Sequence, residues 1–428
     1  MGQPLARTMF DFVYDPFVVL ERAETSGDLV VHYQSPLVSG DDVFVEVKGG
    51  AYTPCNPPGS GAAGCGPEAW GTQTWSEVKF SWNGDTLERK WNPGPVSDWK
   101  PPPNLRHFGP WEPVFHAALG KDFVYLPGAN GSVLEVGRDT GAVFRRIDPF
   151  HGDPLVYVAG PIAVAGDGSI VWTAVRFTSS ATPWASDAHG FVVTSTPAGA
   201  AQVQLLDGLI PGAPAADAQC ELQQRIKDPS RTVLPLEDNL GNILPPPTVA
   251  CGSQRPAINA APAIARDGTI FVVTRAHFAD RYSYLIALRP FLTLRWATSL
   301  RGLLNDGCGI TFPKDEMPGH CHVNVPDGID PFTGSPPAGR AVDESTSSPV
   351  ALPDGKVLDG AYSGYNAVRG HTLLFAGDGS YQRSYDFGWD TTPAFFEHDG
   401  TYSIVLKDNQ YFTTGPYFIT QLNANLGV

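Results

Sequence analysis

Residues 345–385 read STSSPVALPDGKVLDGAYSGYNAVRGHTLLFAGDGSYQRSY. Three apolar runs and a fourth, more polar one (350–352, 356–361, 372–376 and 381–385) are separated by Asp354-Gly355, Ser363-Gly364 and Asp378-Gly379. Short alternating runs closed by Asp-Gly and Ser-Gly pairs predict a four-stranded antiparallel unit. One such sheet has two open edges and an unburied face, so it implies neighbouring copies of itself.

Copies are present. Pro36 opens PLVSGDDVFVEV, Pro113 opens PVFHAALGKDFVYL, Pro161 opens PIAVAGDGSIVWTA, Pro262 opens PAIARDGTIFVV and Pro393 opens PAFFEHDGTYSIV, which with Pro349 makes six openings. The second half of the unit recurs as GSVLEVGRDTGAVFRRI from Gly131, FVVTSTPAGAAQVQLL from Phe191 and YLIALRPFLTLRW from Tyr284. Strand, Asp-Gly turn, strand and then xLxxxxxxTGxxxxR resembles the repeat of the quinoprotein-like β-propellers. That family includes quinone-dependent alcohol dehydrogenases and the propeller lipoprotein of outer-membrane protein assembly. The resemblance implies an all-β fold, a single propeller spanning 1–428 with six blades of four-stranded antiparallel sheets. A strand around 17–21 is left over in that count and makes seven the alternative. The C-terminal YFITQLNANLGV supplies one strand too few, and an N-terminal strand at about 28–33 would complete that blade and close the ring. A scaffold does not fix a function.

Composition narrows the classes. A chain of 428 residues with 46 Gly and 40 Pro, dispersed rather than clustered, suits many short strands joined by turns. A formal charge of −15 with no basic run argues against nucleic acid or anionic lipid as partner. No stretch is long and apolar enough to span a bilayer, and the first residues have no signal-type apolar core. The six cysteines form three sequence-local couples, Cys55/Cys65, Cys220/Cys251 and Cys308/Cys321. Their placement suggests three disulfides and a periplasmic or secreted protein whose leader has been removed, with unpaired buried thiols as the alternative.

Long insertions interrupt the repeats at 51–74, 92–111, 177–190, 206–259 and 301–346, and all six cysteines fall within them. In the implied architecture these connections share one face, where they would form a cross-linked cover over the central channel. Long structured loops tend to carry function.

The candidate residues follow from that placement. The connection Tyr362–His371 offers Tyr365, Asn366 and Arg369, and the matching RAHFADRYSY offers His277, Asp280, Arg281 and Tyr282. Segments entering each repeat bring Trp111, Glu112, Asn259, Asp343, Glu344, Trp389 and Asp390, with His116 just inside its strand. Arg281 and Arg369 are fork-shaped permanent cations suited to a carboxylate such as that of a uronic acid. His116, His277, Tyr282 and Tyr365 are the candidate proton carriers. In GHCHVNVPDGIDP, His320, His322, Asp327 and Asp330 could ligate zinc or copper, or the oxygens alone calcium, but no known ligand spacing is met. Each group also has a plainer reading: turn-capping side chains, inter-repeat tryptophan packing, and a disulfide at Cys321.

Departures from the quinone enzymes matter. The chain has no adjacent Cys-Cys pair and no CxxCH, and no calcium-ligating set can be matched, which argues against pyrroloquinoline quinone (PQQ). No cofactor is required by any motif. The expectation is a monomeric propeller binding or processing a small molecule or glycan in a covered funnel, with a lyase or hydrolase favoured over a quinone oxidoreductase if it is an enzyme. The alternative is a non-catalytic interaction scaffold.

Overall fold

The computed structural model describes residues 19–20, 36–50, 71–102, 117–222, 240, 247–304, 339–343, 347–363, 369–386, 391–408 and 418–428. The named elements among them are β-strands and two 3-10 turns, Ala129–Gly131 and Pro183–Ala185. No helix among them is long and apolar enough to cross a membrane. The chain divides into two compact units, residues 1–186 with 194–202, and residues 187–193 with 203–428.

In the first unit Leu37–Ser39, Asp42–Gly50, Gln73–Trp82 and Leu87–Arg89 form one antiparallel sheet in that order, with Val96–Ser97 also on Gln73–Trp82. Ala118–Leu119, Phe123–Pro127, Val133–Gly137 and Val143–Ile147 form a second. Phe44, Trp91, Val124, Leu126 and Val136 are buried in one core cluster here. Val156–Val158 and Ala163–Val164 then both pair with Ile170–Phe177.

The second unit repeats this pattern. Gln254–Pro256 and Ala263–Ile264 both pair with Ile270–Ala276, which continues into Ser283–Leu288 and Leu294–Ser299. Val350–Ala351, Val357–Ser363, Arg369–Phe375 and Tyr381–Asp386 follow, and then Ala394–His398, Thr401–Asp408 and Phe418–Asn423. Apolar faces of consecutive sheets meet in one cluster containing Phe271, Val273, Leu285, Val357, Leu373 and Phe375, and in another containing Leu358, Leu374, Ile404 and Leu422. Each such fully buried side chain contributes roughly 1.5–3 kcal/mol relative to exposure.

The punctuation in the sequence has a physical origin here. Gly268 N–H donates to Ala265 O at 2.9 Å and Ala265 N–H to Thr269 O at 2.8 Å, while Asp267 Oδ1 accepts Thr269 N–H at 3.0 Å. Gly268 has φ +82°, a conformation that residues with a side chain rarely adopt. The same arrangement recurs at Asp167-Gly168 and Asp378-Gly379. Proline marks the other recurring feature. Pro161 and Pro262 lie where the edge strand breaks and restarts, a place where the missing N–H removes no ladder bond.

Two of the insertions expected from the sequence contain paired backbone. Three strands lie inside the 206–259 insertion: Gln219–Glu221 and Thr248–Ala250 pair with each other, and Gln254–Pro256 pairs with Ile270–Ala276. Within 301–346, Arg340 forms a bridge with Tyr362. Both were hidden because the strands are short and their partners distant in sequence. Of the three expected disulfides, Cys220–Cys251 is formed. Cys55, Cys65, Cys308 and Cys321 lie outside the described residues, as do the strands around 17–21 and 28–33.

Candidate functional site

At one end of strand Ile270–Ala276, Arg255, Ile258 and Arg275 of the second unit converge on Asp343. Arg255 Nη1 and Nη2 donate to its two oxygens at 2.8 and 2.6 Å, Arg275 Nη1 donates at 3.1 Å, and Ile258 N–H adds a bond at 3.0 Å. The Arg255 and Asp343 side chains are 2% and 15% exposed. Burial alone would raise the Asp343 pKa, but the charges of Arg255 and Arg275 and these hydrogen bonds hold it well below the ordinary carboxylate range.

His277 completes the group. Arg255 Nε donates to His277 Nδ1 at 2.9 Å, so the ring proton resides on Nε2. Burial, reinforced by the two neighbouring guanidinium groups, lowers the His277 pKa to about 3. At neutral pH the imidazole is therefore uncharged and acts as an N–H donor rather than a base.

The chain leading into Arg255 is tightly fixed. Cys251 is bonded to Cys220 and its carbonyl accepts Phe278 N–H at 3.0 Å. Gly252 has φ +72°, and a Cβ there would stand 2.8 Å from His277 Cβ. Ser253 donates N–H and Oγ–H to Asp187 at 2.8 and 2.7 Å. Burial acts to raise the Asp187 pKa, but these bonds and that from Ala188 N–H bring it below its ordinary value. A disulfide, a glycine contact and a capped carboxylate thus set the register of the strand carrying Arg255.

A second arginine occupies the equivalent place in the next sheet. Arg255 pairs with Arg275, five residues beyond Ile270, which pairs with Ile264. Arg340 pairs with Tyr362, five residues beyond Val357, which pairs with Ala351. The Arg340 guanidinium lies 4.6 Å from the Tyr362 ring centre and donates from Nη1 to Asp280 Oδ2 at 3.1 Å. Ser283 Oγ ties the two strands by accepting Ala341 N–H at 2.9 Å.

Of the residues named from the sequence, His277 and Asp343 are brought together through Arg255 and Arg275. Arg281, 4% exposed, belongs to the same turn as Asp280. Tyr282 faces elsewhere: its hydroxyl accepts Glu221 N–H at 3.3 Å, its ring lies 4.3 Å under Arg301, and it packs on the Cys220/Cys251 cluster. His116, Tyr365, Asn366, Glu344, Trp389 and Asp390 lie outside the described residues, together with the metal candidates His320, His322, Asp327 and Asp330 and the side chain of Arg369. Among the described residues no group of three or more His, Cys, Asp or Glu could hold a metal ion. Sequence reasoning missed Arg255, Arg275, Arg340 and Asp187. Arg275 had left a signal, a charge at the end of the otherwise apolar IFVVTRA.

The opposite end of these sheets carries a cavity of about 600 Å³ lined by Arg266, Asp354, Glu397, His398, Asp399 and Tyr402. Seven extended residues place it roughly 20 Å from Arg275. Its groups already engage one another. Asp354 accepts from Lys356 at 2.7 Å and from Tyr402 at 2.9 Å, and Arg266 pairs with Glu397.

No protein-family model matches the chain, and no curated protein matches it. Solved structures with a similar course include a europium-containing methanol dehydrogenase (11% identity, 87% of this chain and 81% of that one, TM-score 0.32). BamB from Moraxella catarrhalis aligns at 10% identity over 92% of this chain and 73% of its own, TM-score 0.39. The quinohemoprotein alcohol dehydrogenase from Comamonas testosteroni aligns at 12% identity over 88% and 70%, TM-score 0.33. These are β-propeller proteins, and the likeness is one of scaffold.

Proposed function

We propose that the chain is a β-propeller of six blades, closed by its N-terminal strand and carried in an extracytoplasmic compartment, that binds a small carboxylate-bearing molecule or acidic glycan. The observation that carries the reading is the concentration of buried arginine at one strand end of the second unit. Arg255, Arg275, Arg281 and Arg340 are each 9% exposed or less, in a chain whose overall charge is −15. Buried guanidinium groups are costly unless an anion compensates them, and their planar forks match a carboxylate. Asp343 and Asp280 supply part of that compensation from within the protein. Neutral His277 adds a donor of the kind that suits a sugar hydroxyl. The Cys220–Cys251 disulfide supports the extracytoplasmic assignment.

A second reading, a docking scaffold, is favoured by the exposed Phe395, Phe396 and Ile419 of the last sheet. Thermal unfolding separates the two. A ligand held only by the native state raises the melting temperature, so D-glucuronate or D-galacturonate should raise it where D-glucose does not. Equal or absent responses to all three sugars would refute the acidic-glycan form of the reading, and no response to oxalate or citrate either would refute the carboxylate reading as a whole.

A further inference from the structure

The cavity at the far end of the second unit is built on the Asp-Gly turns of three consecutive sheets. Arg266 stands one residue before Asp267-Gly268, Asp354 opens Asp354-Gly355, and His398, Asp399, Gly400 and Thr401 make the third turn. Its volume of about 600 Å³ lies inside the roughly 300–1,000 Å³ range of small-molecule sites.

Asp399 departs from the other Asp-Gly turns. At Asp167, Asp267, Asp354 and Asp378 the carboxylate accepts the N–H two residues on, at 2.9 to 3.3 Å. Asp399 and Gly400 both have positive φ, +47° and +74°, in a two-residue hairpin closed by the His398–Thr401 pair. The Asp399 carboxylate makes no turn bond there. Its side chain is 96% exposed, and its partner among the described residues is His398 Nδ1 at 3.6 Å.

The groups left over decide what the cavity suits. Tyr402 and Lys356 donate to Asp354, Arg266 Nη2 donates to Glu397 Oε1, and His398 Nε2 is engaged with Ser403 Oγ at 2.8 Å. Among the described residues Glu397 Oε2, Thr401 Oγ and the Nε and Nη1 of Arg266 have no protein partner. Acceptors and donors thus remain side by side. Three carboxylates against one guanidinium repel an anion, and an ammonium ligand, which only donates, leaves Arg266 unmatched. A hydroxyl group donates and accepts, and so matches both sets. Packed sheets lie about 10 Å apart, which spreads the three turns over more than one sugar ring.

We propose that this cavity is a second binding site, for a neutral oligosaccharide whose hydroxyl groups bond Glu397, Asp399 and Thr401. It is separate from the arginine-rich strand end and does not rest on the carboxylate reading. Hydrogen bonds to groups this open compete with water, which sets the affinity in the millimolar range.

Saturation-transfer NMR of the full chain with cellobiose, maltose and lactose tests the site, beside putrescine as a cationic probe. Asp399→Gly removes the carboxylate at a position whose positive φ suits glycine. Asp139→Asn, at a side chain 97% exposed and outside the cavity lining, controls for net charge. Circular dichroism reports folding, and Thr401→Val supplies a second test should Asp399→Gly fail to fold. The expected result is saturable binding of at least one disaccharide, weakened about fivefold or more by Asp399→Gly or Thr401→Val and unchanged by Asp139→Asn. Any of four results overturns the proposal: no saturable binding of any disaccharide, tighter binding of putrescine than of all three, full-strength binding in the folded cavity variants, or equal weakening by Asp139→Asn.

Discussion

Replacing Asp343 by Asn tests the centre of the network with almost no change of shape. The carboxylate accepts four hydrogen bonds, three from guanidinium groups and one from Ile258 N–H. Losing the charge leaves Arg255 and Arg275 buried side by side, with side chains 2% and 11% exposed and no common counter-ion. Removing one partner of such a buried pair costs about 3–5 kcal/mol, far above the 0–1 kcal/mol of an exposed pair. In a unit of this size, about 230 residues, that corresponds to a fall in melting temperature on the order of 10 °C. The measurement is thermal unfolding of wild type and Asp343→Asn by tryptophan fluorescence, at low salt and at about 0.5 M salt. The difference should persist at high salt, because buried pairs are weakly screened. It should also depend on pH in a defined direction. The folded pKa of Asp343 lies below its unfolded value of about 3.9. Its stabilisation is therefore fully present above about pH 5 and is lost as pH falls through the folded value. The advantage of wild type should shrink on acidification. A difference under about 2 °C at pH 7, or one that grows toward pH 3, would show that Asp343 does not compensate the two arginines.

Two further outcomes follow from buried groups. Asp359 is 1% exposed, and burial, only partly offset by the Gly360 backbone N–H, raises its pKa to about 8. It is protonated in the fold at neutral pH, so its contribution is fully present below about pH 4 and is lost as pH rises toward 8, at up to about 1.4 kcal/mol per pH unit. Asp359→Asn should flatten that slope in urea titrations, and an unchanged slope would count against the assignment. Glu77→Gln should do the same for the first unit, where burial likewise brings Glu77 to about 8. Reducing Cys220–Cys251, which spans a separation of 31 residues, should cost between about 3 and 4 kcal/mol. It should also loosen the strand carrying Arg255, seen as faster amide exchange at Ser253–Arg255; unchanged exchange there would separate the bond from the site.

What could be read from the sequence was whatever rests on neighbours in the chain. Asp-Gly turns announce themselves because a short acceptor side chain and a residue free to adopt positive φ are both local needs, and Asp267-Gly268 meets them as expected. The runs at 350–352, 356–361, 372–376 and 381–385 became strands at Val350–Ala351, Val357–Ser363, Arg369–Phe375 and Tyr381–Asp386, since alternation records which side of a sheet is buried. The couple Cys220/Cys251 was legible for a similar reason: two cysteines in one insertion have few other partners.

Tertiary structure alone decided the site. Asp343 lies 88 residues from Arg255 and 68 from Arg275, and no periodicity links them. A charge that is surface decoration in one fold becomes a strut in another, depending on which strand ends meet and whether water is excluded there. The likeness of Arg255 and Arg340 was likewise invisible, because both lie in segments that read as insertions and their equivalence exists only in the register with Arg275 and Tyr362. Local chemistry fixes turns and strands within a few residues, whereas burial and the pairing of distant charges are properties of sheets brought together.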